Sequence, residues 1–590
     1  MLDLLTRPVA AAVADRLNVA PTQVAGLFAP PAKGFAADLA LPCFQLAKAA
    51  GKAPPALATD LAAFLPTVIP GLTATAVGPF CNLSFAAGNV AQALLPALAE
   101  PTAALRSSAG AGRTAAIDFS SPNIAKHLAF HHIRSTMLGN ALAHCYQAAG
   151  WKTVRINFLG DWGTAFGRLI SGWKREGLTL DQLRAADDQV TFLNALYVRA
   201  SQAAKGDAAL EDDARRWSKK LEDGDAEARH LWQIFKDASL AEFQRVYALL
   251  GVTFDSWKGE AYYEDKMGPI LAELADKNLT SEDQGATIVD LPKLVGKQFK
   301  KPALIKRADG GTLYATRDLA ACDDRMREFA ADRALYVVDL GQSLHFTEWF
   351  AVAKLLNRPF AGNLRHVGFG VVLMWNDEPG EGLEPGWAKG RTRAGKVMLL
   401  REVLEEAIDR AAVIVREKNP DLDAAEQATI ARQVGIGAVV FNDLKNGRTN
   451  DVKFKFEDAL RFDGETGPYL QFAHARLCSI ERKANVGDLA GDPALLTSDH
   501  EKNVLLAIAK LQNALERTVE ADEPSLLAAA LLNLAGEIAV WLTSGNSNLD
   551  ARVLCLDAAQ SAARLRLVRA ARGALGEGLR LLGLAAPERM

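Results

Sequence analysis

The chain has 590 residues, 49% hydrophobic and 23% charged, which places it among globular proteins with a sizeable core and excludes a disordered or fibrous chain. At roughly 100–200 residues per domain it should fold as about three to five units. A net charge of −3 gives no global signal for nucleic acid, although basic residues can still gather on one face.

At the N-terminus, Asp3, Arg7, Asp15 and Arg16 interrupt any apolar run, so residues 1–20 do not read as a secretion signal. Leu2, Leu5, Val9, Val13 and Leu17 recur at helical spacing and predict an amphipathic helix. An Ala-rich second helix is expected over residues 44–65 and a strand-like run over 73–85; residues 101–112 read as a linker. Residues 113 to about 455 alternate short apolar strands (115–119, 153–158, 334–338 and 366–372) with longer helical patterns, the signature of an α/β domain with a parallel sheet. Within it, residues 178–235 are helical and highly charged and read as an insertion, and the Pro-, Gly- and Glu-rich residues 376–390 predict an exposed loop. From about residue 456 the helical period takes over, predicting an all-helical bundle. No stretch approaches the roughly 20 apolar residues of a membrane span. The six cysteines form no CxxC or CxxxC pair, which speaks against structural zinc and a disulfide framework and fits a reducing, cytoplasmic compartment.

The segment that carries most chemistry is AAIDFSSPNIAKHLAFHHIRSTMLGNAL, residues 115–142. It begins as a buried strand, turns through Ser120, Ser121, Pro122 and Asn123, and enters a helix near His131. Such a unit directs backbone N–H groups and a helix dipole toward the carboxyl edge of a sheet, where anions bind. Lys126, His127, His131 and His132 stand in the same loop. A strand–helix joint with polar caps explains one histidine, and on pattern alone it competes evenly with a triphosphate site for three.

The run SSPNIAK, followed by HHIRST and MLGNAL, resembles the nucleotide-binding signature of the arginyl-tRNA synthetases, in which SPNIAK leads into the class I HIGH motif and an [LI]RST run. The four HIGH positions read Ala129, Phe130, His131 and His132, so only the last histidine is kept. Further resemblances follow in order: NFLGDWGTAFGRL at 157–169, FDSWKGEAYY at 254–263, LYATRDLAA at 313–321, LGQSLHF at 340–346, HVGFGVV at 366–372, DGETGPYLQFAHARLCSI at 463–480 and LRLLGLAAPERM at 579–590, with GPFCNLSF at 78–85 in the N-terminal part. The resemblance implies a Rossmann-type parallel-sheet catalytic domain (109–455), an N-terminal α+β tRNA-binding domain (1–108) and a C-terminal all-helical anticodon-binding domain (456–590). It implies a ligase that joins L-arginine to tRNA(Arg) with ATP and Mg²⁺, acting as a monomer. A paralogue that binds without efficient charging is the alternative.

Residue by residue, the resemblance implies that Lys126 and His132 act on the phosphates, with His127 or His131 partly replacing the missing imidazole. Arg391, Arg393 and Lys396 form a divergent, basic form of the second phosphate motif. Arginine's guanidinium never loses its charge and needs carboxylates and hydrogen-bonding partners. Glu260 and Asp318, with Tyr314 and Gln342, are implied to supply them. Ser121 and Asn123 are implied to hold the amino and carboxylate groups, with Asp118 behind them supporting Lys126. For the tRNA, Phe80 and Asn82 stand where the family contacts the elbow. Tyr469 and Arg476 stand in the anticodon domain, where the stripe Arg566, Arg569 and Arg572 suggests phosphate contacts.

Overall fold

The computed structural model describes residues 1–32, 34–307, 314–376, 386–389, 398–484 and 491–590. Its centre is a four-stranded parallel sheet. The strand Thr114–Asp118 lies between Lys152–Ile156 on one side and Arg333–Tyr336 on the other, and Leu364–His366 forms the far edge. Thr114–Asp118 is short and almost wholly buried, as a parallel strand covered on both faces must be. The helix His132–Ala148 leads from it to Lys152–Ile156, while the chain later returns to Arg333–Tyr336 on the opposite flank. The strand order therefore reverses at Thr114–Asp118, and the loops after it and after Arg333–Tyr336 part to leave a crevice at the carboxyl edge. Gly139 lets the helix close onto the sheet, since a Cβ there would stand 2.2 Å from the Phe119 ring.

Helices Gln189–Ala204, Ala208–Glu222 and Ala226–Leu250 build the predicted insertion and carry it past residue 235. The expected strand at 366–372 is instead two strands, Leu364–His366 in the main sheet and Val372–Asn376 in a second one. That second sheet pairs Val372–Asn376 with Gly386–Lys389 and with Val452–Phe454. A third small sheet, Ser281–Asp283, Ala286–Val289 and Ala303–Lys306, has no counterpart in the sequence reading.

At the N-terminus, helix Asp3–Leu17 and helix Pro54–Val68 accompany a three-stranded antiparallel sheet, Leu39–Pro42, Phe80–Phe85 and Leu72–Val77. The single helix expected over 44–65 breaks at Gly51, which takes a left-handed φ of 60° and ends the short helix Ala47–Ala50. The C-terminal part is helical, with Gly467–Ala484, Asp499–Ala521, Ser525–Ser547 and Ala558–Leu581. Among the described residues one helix, Ser525–Ser547, is long and apolar enough to cross a membrane. The composition reading missed it; in the fold Leu527, Leu531, Leu534, Ile538 and Trp541 of this helix are buried in the bundle.

Candidate active site

The loop leaving Thr114–Asp118 is sharply bent, with Ser120, Ser121 and Ala125 at φ of 68°, 45° and 59°. Non-glycine residues hold such angles only where their surroundings over-determine them. Here the helix His132–Ala148 supplies the restraint. Ser135 Oγ accepts from the Ser120 N–H at 2.8 Å and donates to the Val337 carbonyl at 2.6 Å, and Thr136 Oγ1 donates to Ser120 Oγ at 2.9 Å. Ser120 Oγ also meets the Tyr247 hydroxyl at 2.7 Å, which takes a further bond from Asn157 at 3.1 Å. Gly160 brings the following loop against the turn, since a Cβ there would lie 1.9 Å from Asn123 Oδ1.

A cavity of about 510 Å³ opens between the two parted loops, lined by Ser121, His131, His132, Asp339, Gln342 and the backbone around Gly370. His132 is the first residue of its helix. Its Nδ1 lies 2.9 Å from the Ala129 nitrogen and 3.1 Å from the Ala129 carbonyl oxygen; we assign it as acceptor from the N–H, the shorter contact, which puts the neutral ring's proton on Nε2. Burial, then the neighbouring His131, lowers its pKa to about 4, so the ring is neutral near pH 7. His131 stacks on it with ring centroids 4.2 Å apart. Burial lowers the His131 pKa, against an upward pull from Asp339.

The other loop histidine goes elsewhere. His127 meets Thr191 Oγ1 at 2.8 Å, Asp188 at 3.3 Å and Glu242 at 3.7 Å, all on the insertion helices or their cap. His131, not His127, is therefore the one that joins His132 at the cavity. Asp118 also departs from expectation. One carboxylate oxygen accepts from Ser121 Oγ at 2.7 Å and the other from Arg325 at 2.7 Å, so its cation is Arg325 and not Lys126. Burial pushes the Asp118 carboxyl up against the pull of Arg325 and Ser121. Lys126 is exposed, with its ammonium 5.8 Å from the centre of the Tyr197 ring. Asn123 is exposed beside Gly160.

Asp318 comes close enough to Glu260 to raise its pKa. Burial raises the Glu260 pKa to about 7, countered by Arg317 and reinforced by Asp318, Asp161 and Glu264. Arg317 lies 3.6 Å from Glu260, beyond a tight pair, and 3.3 Å from Glu264. Asp318 takes His345 Nε2 at 2.5 Å. The side chain of Tyr314 and all of Arg391, Arg393 and Lys396 lie outside the described residues. The chain that resumes after them is tied to the first loop, because Ala129 and Leu399 form an antiparallel bridge and the Leu400 N–H donates to Leu128 at 2.8 Å.

Toward the C-terminus, Tyr469 is half-buried and Arg476 lies on the same helix, Gly467–Ala484. Arg569 and Arg572 pair with Glu481 of helix Gly467–Ala484 at 2.9 and 3.0 Å, and Arg566 donates to the Gly491 carbonyl at 2.5 Å, so each arginine of the stripe already has a partner within the chain. At the other end, Phe80 is exposed and packs edge-on to Phe44 at 5.7 Å. Asn82 is buried, its amide donating to the Thr75 carbonyl at 3.4 Å.

Sequence reasoning assigned no role to Arg134, Ser135, Asp161, Arg325, Asp339 or His345, though four of them stand inside runs it quoted. The signal available was a polar residue embedded among apolar ones at a strand end or helix start, where a buried polar group must have a partner.

Three family models cover the chain in order: the arginyl-tRNA synthetase N-terminal domain over residues 3–85, the catalytic domain of class I (R) tRNA synthetases over 95–456, and the DALR anticodon-binding domain over 470–590. The chain belongs to the arginyl-tRNA synthetase family. The arginine–tRNA ligase of Exiguobacterium sp. is 42% identical over 569 residues, 96% of each chain. That of Enterococcus faecalis is 41% identical over 588 residues, 99% of each. The arginyl-tRNA synthetase of Thermus thermophilus superposes with a TM-score of 0.78 at 26% identity and 100% coverage of both chains. In this family setting Ala129 is the departure. Its side chain is buried and reaches nothing in the cavity, while its backbone N–H orients the histidine that the motif keeps.

Proposed function

We infer that the chain is an ATP-dependent arginine–tRNA ligase. It condenses L-arginine with ATP to arginyl-adenylate and pyrophosphate, then passes the arginyl group to the 3′ adenosine of tRNA(Arg), releasing AMP. The observation that carries the reading is the pair Glu260 and Asp318, two neighbouring carboxylates, the first largely shielded from solvent and matched only by Arg317 at 3.6 Å, which Glu264 shares. A second guanidinium matches this excess of acids in charge and in donor number.

In the first step a carboxylate oxygen of arginine attacks the α-phosphorus and the bond to the pyrophosphate oxygen breaks. In the second a hydroxyl of the terminal adenosine attacks the arginyl carbonyl and AMP leaves. No side-chain nucleophile is required; positioning and charge stabilisation carry the rate. We assign the neutral His132 a phosphate contact through its Nε2–H, with His131 beside it, and we assign the basic groups Lys126, Arg391, Arg393 and Lys396 the neutralisation of the departing charge. Ser121, Asn123 and Gln342 orient arginine, joined by Tyr314; Asp339 can accept from ribose hydroxyls. Among the described residues no three His, Cys, Asp or Glu are grouped to hold a metal, so Mg²⁺ fits here as the partner of the triphosphate oxygens, whose charge it neutralises. Phe80, together with Tyr469 and Arg476, is assigned to the tRNA; the buried Asn82 serves that surface from behind. Action as a monomer in the cytoplasm belongs to the same reading.

Ala129 favours a second reading, a paralogue that binds without charging. Arginine- and tRNA-dependent ATP–pyrophosphate exchange separates the two. The expected outcome is exchange that requires arginine, and its absence with cognate tRNA present overturns the ligase reading.

A further inference from the structure

Asp161, in the loop after strand Lys152–Ile156, is wholly buried. Its Oδ2 accepts from Lys236 Nζ at 2.7 Å, on helix Ala226–Leu250. Its Oδ1 accepts from the backbone N–H of Ala261 at 2.9 Å, and its carbonyl accepts from Trp232 Nε1 at 2.7 Å. Ala261 follows Glu260 directly. The Glu260 N–H donates to the Leu159 carbonyl at 3.0 Å, and Gly259 passes so close that a Cβ there would stand 2.5 Å from Asp161 Oδ1. The backbone after Glu260 is thus held by one buried carboxylate against which Gly259 also packs, and that carboxylate's charge is balanced by one lysine from the insertion. Breaking one side of such a pair leaves an uncompensated buried charge beside the site.

We propose that Asp161 and Lys236 are positioning residues for arginine recognition: the buried pair fixes the turn that carries the Glu260 carboxylate and the charge that surrounds it, and so sets how arginine binding depends on pH. This rests on Glu260 facing the guanidinium. The charged groups around Glu260 are Arg317 and Asp318 from helix Tyr314–Glu328, Glu264 on its own turn, and Asp161 with Lys236 behind it; His345 acts through Asp318. Acids outnumber the cations near Glu260, so removing one charge from the buried pair moves its ionisation in a direction set by the sign removed. Asp161→Asn keeps an acceptor for Ala261 and removes a negative charge; Lys236→Met leaves Asp161 unbalanced.

The test is KM for arginine in aminoacylation, with ATP and tRNA saturating, from pH 5.5 to 8.5. In the unaltered protein KM should rise as pH falls through the ionisation of Glu260. Asp161→Asn should move that midpoint down and Lys236→Met should move it up, each by about one pH unit. Glu260→Gln should flatten the profile. A Glu260→Gln profile that matches the unaltered protein sinks the assignment of Glu260 itself. A flat Glu260→Gln profile, with both other variants unmoved or moved in the same direction, overturns the positioning role. Should Asp161→Asn fail to fold, Lys236→Met decides alone: an upward midpoint supports the proposal and an unmoved one ends it. A purely structural pair would lower thermal stability and leave the midpoint in place.

Discussion

Glu260 shows how one residue can set function against stability. Its pKa of about 7 lies above the ordinary 4.5, so the fold favours the neutral carboxyl. The stability this contributes is fully present below the ordinary value and is lost as pH rises through about 7. Arginine needs the opposite form: a guanidinium pairs with the carboxylate, so affinity is lost as pH falls through the same value. Glu260→Gln is therefore expected to match or exceed the parent's melting temperature at pH 8 while KM for arginine rises about 10- to 100-fold, the worth of one charge-assisted bond. A variant that melts lower at pH 8 contradicts the sign. At His132 the tautomer makes the prediction. With Nδ1 engaged by Ala129, the useful donor is Nε2–H, which glutamine's amide can approximate and asparagine's cannot. His132→Asn should lose about 10²-fold in kcat, and His132→Gln clearly less. Equal losses in pyrophosphate exchange would remove the Nε2–H from the mechanism. Glu260 and His132 could be proposed from sequence because each sits in a recognisable run. The partner of Asp118 was not, since Arg325 lies 207 residues away and only the closed sheet brings the two together.

Among the elements, helix His132–Ala148 does more than present its N-terminus. Arg134, fully buried, donates to the carbonyls of Gly370 at 3.0 Å and Asn450 at 2.7 Å and pairs with Asp443 at 2.9 Å. One side chain thereby fixes the crevice wall at Gly370 to helix Ala424–Leu444. Burial raises the Asp443 pKa to about 6 against the pull of Arg134. Arg134→Met leaves that carboxyl buried without its cation, at a cost of about 3–5 kcal/mol. Adding Asp443→Leu should recover part of the loss, and urea unfolding of the three variants measures the coupling. Additive losses would show that Arg134 acts through the two carbonyls alone. The apolar main-sheet strands announced themselves in the sequence. The run 366–372 misled because no other charged or polar side chain follows His366 in it, yet its middle leaves the sheet and residues 369–372 wall the cavity. The hairpin-like sheet at 281–306 stayed invisible because Ser281–Asp283 is exposed and polar, with no alternation to mark it.

Across the whole molecule, helix Asp499–Ala521 connects all three regions. Lys502 pairs with Asp38 of the N-terminal part at 3.4 Å, and Glu516 accepts from Ser107 Oγ at 2.6 Å. At its end Asp522 sits at a left-handed φ of 53° and accepts from the Tyr146 hydroxyl at 2.6 Å, which in turn accepts from Arg333 at 2.8 Å. Tyr146 ends the helix that begins at His132, and Arg333 begins a strand of the central sheet, so this cluster fastens the catalytic sheet to the helical bundle. The three-part order was legible because composition changes from alternating to helical near residue 456; the fastening was not, because its partners are scattered through the chain. Tyr146→Phe removes the donor to a buried carboxylate and should cost about 1.5–3 kcal/mol. Asp522→Ala should cost more, since it loses the acceptor and also the short polar side chain that lets an aspartate hold a positive φ. Asp522→Asn tolerates that backbone and keeps an acceptor, so its loss should be the smallest. Calorimetry gives the order directly, and equal losses in Asp522→Asn and Asp522→Ala would mean that the charge, which both remove, and not the hydrogen bond or the backbone, holds the seam. Because none of these residues lines the crevice, KM for arginine should stay within about twofold in all three variants, as expected for sites that are distant and share no partner with Glu260.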